Sequence, residues 1–132
     1  DQRVWYLHTS PEEFCKEIHM KNHRKTGMEK EETACRFLLT QGYEVIERNF
    51  YSRYGEIDII ARDGQYLVFA EVKYRRSIAF GYPGEAVDRR KQQKIHKTAE
   101  YYLFCRGMFD RPARFDVVEI IGKKIRVIKN AF

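Results

Sequence analysis

Apolar positions along the chain follow two rhythms, and the change from one to the other marks out the elements. Ala34, Phe37 and Leu38, continued by Gln41, fall at helical spacing, with Thr26-Gly27-Met28-Glu29 as a capping box ahead of them and Gly42 placed to end the helix. This predicts a helix over 27–41. From Tyr43 the rhythm shortens to β-rich runs over 43–50, 56–62 and 66–75, the last two joined by an Asp63-Gly64 turn. Three antiparallel strands in a meander fit these runs. Residues 78–84 carry Gly81, Pro83 and Gly84 and read as a loop. Val87, Lys91, Ile95, Ala99 and Tyr102 then recur every three or four residues up to Gly107, giving a second helix of about 18 residues. Runs over 114–121 and 124–129, split by Gly122-Lys123, complete the pattern. Upstream, Ser10-Pro11-Glu12-Glu13 starts a further short helix over 9–22, with Phe14 and Ile18 on its apolar stripe. After that helix the order is α-β-β-β-α-β-β, an α/β chain whose helices cover a mixed sheet.

Composition narrows the class. A chain of 132 residues, 43% hydrophobic and 33% charged, with 9 Tyr, 9 Phe and 1 Trp, fits one ordered domain and not a disordered segment. Its longest apolar run, Leu67-Val68-Phe69-Ala70, is far below the ~20 residues of a membrane span, and no basic-then-apolar leader opens the sequence. A soluble cytoplasmic protein with no membrane partner is expected. Cys15, Cys35 and Cys105 are an odd, scattered set with no Cys-x-x-Cys, which suggests neither a disulfide framework nor a cysteine zinc site.

Charge changes the picture more. The net +6 is concentrated in residues 73–97, where Lys73, Arg75, Arg76, Arg89, Arg90, Lys91, Lys94 and Lys97 face only Glu85 and Asp88. Tyr74, Phe80 and Tyr82 are interleaved. Cations that take phosphates beside rings that stack on bases suit a nucleic acid; a solvated basic helix is the plain alternative.

The charge excess begins at a constellation with chemistry of its own. With a two-residue hairpin loop Asp58 opposes Phe69, and with a four-residue loop it opposes Glu71. In either register Asp58, Glu71 and Lys73 share a face, while Ile57, Ile59, Val68, Ala70 and Val72 point to the other. Two carboxylates with the Val72 carbonyl between Glu71 and Lys73 are hard oxygen ligands for Mg²⁺ or Mn²⁺, and a neighbouring lysine can orient or deprotonate water or offset charge on a phosphorane. The competing reading is a cross-strand ion pair without metal.

Gly55-Glu56-Ile57-Asp58-Ile59-Ile60-Ala61 followed by Leu67-Val68-Phe69-Ala70-Glu71-Val72-Lys73-Tyr74-Arg75 resembles the YraN-like bacterial family, uncharacterised protein family 0102. The resemblance extends over about 20–129 and takes in Gly42-Tyr43, Arg48-Asn49, Lys91 and Arg114-Phe115-Asp116-Val117-Val118. That family belongs by fold to the PD-(D/E)xK nucleases and is similar to archaeal Holliday junction resolvases. The resemblance implies a restriction-endonuclease-like core spanning 23–132, preceded by an extension over 1–22. It places Asp58, Glu71 and Lys73 at the motif positions and adds a first-helix glutamate. Aligning the family's Gly-Glu-x-x-Ala with Lys30-Glu31-Glu32-Thr33-Ala34 selects Glu31, with Glu29 and Glu32 as neighbours that helical geometry points elsewhere. Lys30 replaces the usual glycine, and Ile57 stands where the superfamily name has proline.

Other motifs add little. Cys15, His19 and His23 stand four residues apart on the upstream helix, too far end to end for one ion. His96 reads as a surface residue beside phosphate-binding lysines, Tyr101, Tyr102, Phe104 and Phe109 as core or interface aromatics, and Ser77 has no catalytic partner in sequence. The expectation is a Mg²⁺- or Mn²⁺-dependent endonuclease acting on DNA, branched or structured by virtue of the resemblance. Asp58 and Glu71 would hold the metal, Glu31 and Lys73 would complete the catalytic set, and Arg75, Arg76, Lys91 and Lys94 would grip phosphates. A homodimer would be needed to cut two symmetric strands. The alternatives are an inactive nucleic-acid-binding adaptor on the same fold and, with least support, a protein-interaction module.

Overall fold

The computed structural model describes residues 25–75 and 87–132, and the side chains of all of these except 25–28 and 75. The helix expected over 9–22, with Cys15, His19 and His23, the loop over 78–84, Ser77 and Arg76 lie outside the described residues. Helix α1 (Lys25–Thr40) leads into strands β1 (Glu44–Ser52), β2 (Gly55–Asp63) and β3 (Tyr66–Arg75), then helix α2 (Arg89–Arg106) and strands β4 (Ala113–Ile121) and β5 (Lys124–Ile128). One sheet holds all five strands in the order β1-β2-β3-β4-β5. The meander β1-β2-β3 is antiparallel, β3 and β4 run parallel, and β5 returns antiparallel to β4. The expected α/β class with a mixed sheet is what the chain adopts, and the α-β-β-β-α-β order is compatible with a restriction-endonuclease-like core. No helix among the described residues is long and apolar enough to cross a membrane.

The parallel pairing of β3 with β4 needs a crossover, and α2 is the helical part of it. Gly107, the end the sequence indicated, closes the helix in the left-handed conformation, φ 63°, and at its start Asp88, not singled out as a cap, accepts from the Lys91 N–H at 2.8 Å. Helix α1 includes Thr26, so the expected capping box falls inside its first turn and not at its N-cap.

Each face of the sheet packs under a helix. Ala34, Cys35 and Leu38 of α1 bury against Tyr43, Val45, Ile59, Ala61, Val68, Ala70, Val118 and Ile120. On the other face Ile95, Ala99 and Tyr102 of α2 bury against Ile57, Ile60, Leu67 and Phe69. Cys35 is fully buried in this core, while Cys105 is free and exposed.

Two local corrections position the site. Asp63 pairs with Tyr66, so the hairpin turns on Gly64-Gln65 and not on Asp63-Gly64; Gly64 supplies the positive φ of 61°. Asp63 is kept in the strand, where its carboxylate meets Arg114 at 2.7 Å and Lys129 at 3.2 Å. This one-residue displacement gives the register that sets Asp58 across from Glu71. Second, Ile57 does not share a face with Ile59, Val68, Ala70 and Val72, but packs with Ile60 under α2. Strict alternation fails because regular pairing of β2 with β3 stops at Ile59 and Ala70. Past that point the Val72 N–H donates to Asp58 Oδ2 at 2.9 Å instead of to a backbone carbonyl.

Candidate active site

The site forms where β2 and β3 part. Phe69 packs under α2, and alternation along β3 therefore turns Glu71 and Lys73 to the same side. Glu71 is 4% exposed there. Its Oε1 pairs with Lys73 Nζ at 3.8 Å and with Lys91 Nζ, from the first turn of α2, at 2.5 Å. Lys91, expected on a substrate phosphate, is thus tied to the carboxylate itself. Burial, and after it the charge of Lys91, hold the Lys73 ammonium below the usual lysine range; Glu71 and Asp58 pull the other way. Burial is the largest influence on Lys91 and opposes its charge, but the hydrogen bond and the charge of Glu71, with the charge of Asp58, together outweigh it and keep Lys91 above the usual range.

Asp58 stands between this group and a second one. Burial and then the charge of Glu71 push its carboxyl well above the usual carboxylate range, against the Val72 hydrogen bond, with Glu31 and Glu56 adding to the repulsion. Carboxylate oxygens of Glu31, Glu56 and Asp58 all lie within 4.8 Å of one another. Glu31 reaches the site from α1, as the resemblance implied, and burial raises its pKa. The counteracting charge is Arg48 of β1, whose guanidinium lies 3.6 Å from Glu31 Oε2. Asn49 adds a hydrogen bond that lowers the Glu31 pKa. Consecutive strand residues normally point to opposite faces; Asn49 adopts φ 53°, and with it Arg48 and Asn49 both meet Glu31.

Of the residues singled out in sequence, Glu31 and Asp58 therefore meet in the carboxylate cluster, and Glu71, paired with Lys73, acts on Asp58 through its charge. Glu56 was not singled out, although Glu56-Ile57-Asp58 would have been a signal had strand alternation alone been applied to it. Lys94 is exposed on α2. The side chain of Arg75, like the whole of Arg76, is outside the described residues. His96 stacks on Phe115, ring centroids 4.0 Å apart, which fits a surface role. Tyr102 is a core ring, whereas Tyr101, Phe104 and Phe109 are 44%, 73% and 62% exposed and border a shallow groove with Tyr54 and Lys97.

The donor set suits a hard divalent cation. Glu31, Glu56 and Asp58 bring three carboxylates together, with Arg48 3.6 Å from Glu31 Oε2, an atom that is buried with no hydrogen-bond partner among the described residues. Such an arrangement is costly when empty of cations and relieved by one.

Comparison with known proteins places this geometry in a family. The model of the uncharacterised protein family UPF0102 matches residues 30–120, the span that holds Glu31, Asp58, Glu71, Lys73 and Lys91. A UPF0102 protein of Lachnoclostridium phytofermentans is 47% identical over 112 residues, 84% of this chain and 95% of its own length. Another, from Thermodesulfovibrio yellowstonii, is 49% identical over 106 residues, 80% of this chain and 94% of its own. A third, from Persephonella marina, is 46% identical over 106 residues, 80% and 91% respectively.

Proposed function

The chain belongs to the uncharacterised protein family UPF0102, and on that footing we propose that it is a divalent-metal-dependent endonuclease acting on DNA, with branched or structured DNA as its substrate. The observation that supports this best is the meeting of Asp58, Glu71 and Lys73 at the parting of β2 and β3, with Glu31 brought to the same place from α1. Asp58 and Glu71 would hold Mg²⁺ or Mn²⁺, and Glu31 and Glu56 would complete the oxygen set around Asp58. When bound, such an ion acidifies water and neutralises charge on phosphoryl oxygens. Lys73, its ammonium destabilised by burial and by Lys91, is suited to accept a proton from the attacking water or to orient it. Lys91 fixes the Glu71 carboxylate, and Lys94, Arg75 and Arg76 would take flanking phosphates.

Purified protein incubated with labelled four-way junction, flap, duplex and single-stranded DNA in Mn²⁺ or Mg²⁺ tests the reading. Metal-dependent cleavage is expected, abolished in Asp58→Ala and Glu71→Ala with DNA binding retained. Folded protein that cuts none of these substrates would reject it.

A second reading, an adaptor that binds nucleic acid without cutting, is favoured by the Lys91–Glu71 contact, which already gives Glu71 a cation. It predicts that Mn²⁺ leaves the melting temperature unchanged, whereas the nuclease reading predicts a rise that disappears in Asp58→Ala.

A further inference from the structure

Arg48 is a buried cation. Its side chain is 1% exposed, and its Nε, Nη1 and Nη2 meet no acceptor at ordinary hydrogen-bond distance among the described residues. A guanidinium carries five donors that water would satisfy, so burial in this state is retained only where charge compensates it. The groups whose charge acts on Arg48 are all acidic: Glu31 most strongly, then Glu32 and Asp58. The approach to Glu31, 3.6 Å, lies outside hydrogen-bond range, and Glu31 Oε2 likewise has no hydrogen-bond partner. Arg114 shows what a locked pair looks like in the same molecule: it bonds Asp116 and Asp63 at 2.7 to 2.9 Å, with Tyr43 and the Asn130 N–H satisfying further lone pairs of the network. At 3.6 Å the contact of Arg48 with Glu31 is long and chiefly one of charge, in a cluster where carboxylate oxygens of Glu31, Glu56 and Asp58 lie within 4.8 Å of one another. Asn49, in its left-handed conformation, adds a second residue of the same strand aimed at Glu31.

We propose that Arg48 is the resident countercharge of the acid cluster, a positioning residue that keeps Glu31 beside Glu56 and Asp58 in the metal-free protein and that Glu31 relinquishes when a divalent cation enters. The loose geometry is what permits the exchange, since the 3.6 Å contact with Arg48 is long enough to give way as Glu31 turns to the incoming ion. Arg48 is too buried to meet a substrate phosphate, so its action runs through Glu31. The exchange rests on the metal-dependent reading above; the countercharge role does not.

Two measurements separate them. In metal-free protein, Arg48→Met, Glu31→Gln and the double variant form a thermal-unfolding cycle. Arg48→Met should lower the melting temperature, and Glu31→Gln should restore most of that loss in the double variant. Losses that simply add would overturn the countercharge role. Should Arg48→Met fail to fold, recovery of a folded protein on adding Glu31→Gln supports the proposal and failure to recover overturns it. In the second measurement, calorimetric titration with Mn²⁺ alone, Arg48→Met should bind at least about tenfold more tightly than the parent, because the substitution removes a like charge beside the incoming ion. Arg48→Lys, which keeps the charge, should stay near the parent. Equal affinity in Arg48→Met, or Arg48→Lys matching Arg48→Met, overturns the exchange. A parent that binds no Mn²⁺ removes the metal reading and the exchange with it, and leaves the unfolding cycle to decide the countercharge.

Discussion

Lys73 and Lys91 bring like charges to one carboxylate, and the asymmetry between them has a kinetic consequence. Lys91 keeps its proton through its contact with Glu71, and that charge helps hold the Lys73 ammonium below its usual range. If Lys73 accepts a proton during cleavage, the rate rises as pH climbs through its lowered pKa. Lys91→Met removes a repelling charge and leaves Glu71 entirely to Lys73, and both changes raise the Lys73 pKa. The rising limb of the pH–rate profile should move to higher pH in that variant; a limb that stays in place would exclude Lys73 as the titrating group. Asp63 behaves in the opposite sense. The Arg114 hydrogen bond, partly countered by burial and reinforced by Lys129, holds its carboxyl below the usual range. A depressed carboxylate pKa stabilises the fold above the unfolded-state value, near 3.8, and that stabilisation is lost as pH falls through the folded-state value. Asp63→Asn should therefore cost about 1 kcal/mol in urea unfolding at pH 7, and the difference from the parent should shrink as acid protonates Asp63.

At the scale of elements, much of the fold was legible because its punctuation is local. Gly107, Gly122-Lys123 and the period of Val87 to Tyr102 mark α2 and the β4–β5 turn through backbone preferences that act within a few residues. The extent of β3 matched its pattern throughout, since a strand between two neighbours carries a continuous apolar signal. What the sequence could not convey was cooperation at a distance. The hairpin moved by one residue because Asp63 meets Arg114, which is 51 residues away in the chain, and Ile57 changed face where a side chain, Asp58, replaced a ladder bond. Within the site, Asp58, Glu71 and Lys73 were readable from strand alternation, and Glu31 from the resemblance. The Arg48 approach to Glu31 was hidden, because it needs α1 packed on β1 and a left-handed Asn49. The N-cap of α2 also sets site geometry: Asp88 fixes the turn that contains Lys91. Asp88→Ala should destabilise the protein by about 1 kcal/mol and reduce cleavage beyond what that stability loss explains, read as a lower rate at a temperature where both proteins are fully folded.

For the whole molecule, charge distribution governs encounter with a polyanion. The excess of Lys and Arg lies at the end of β3 and along α2, the helix that also delivers Lys91 to the site. DNA affinity should fall steeply with added salt. Lys94→Ala should weaken binding to all sequences alike and reduce the slope of log affinity against log salt by about 1. An unchanged slope would place Lys94 off the phosphate path.

The strand order has one more consequence, for the route by which the molecule assembles. Glu31, Arg48, Asp58 and Glu71 all belong to α1 and the antiparallel meander, elements joined by short hairpins, whereas Lys91 arrives only with the crossover that pairs β3 with β4. Nearby pairings close faster than distant ones. The carboxylates and their buried arginine would then gather early on the folding pathway, and Lys91 would latch onto Glu71 late, so the last step of maturation is also the one that finishes the candidate site.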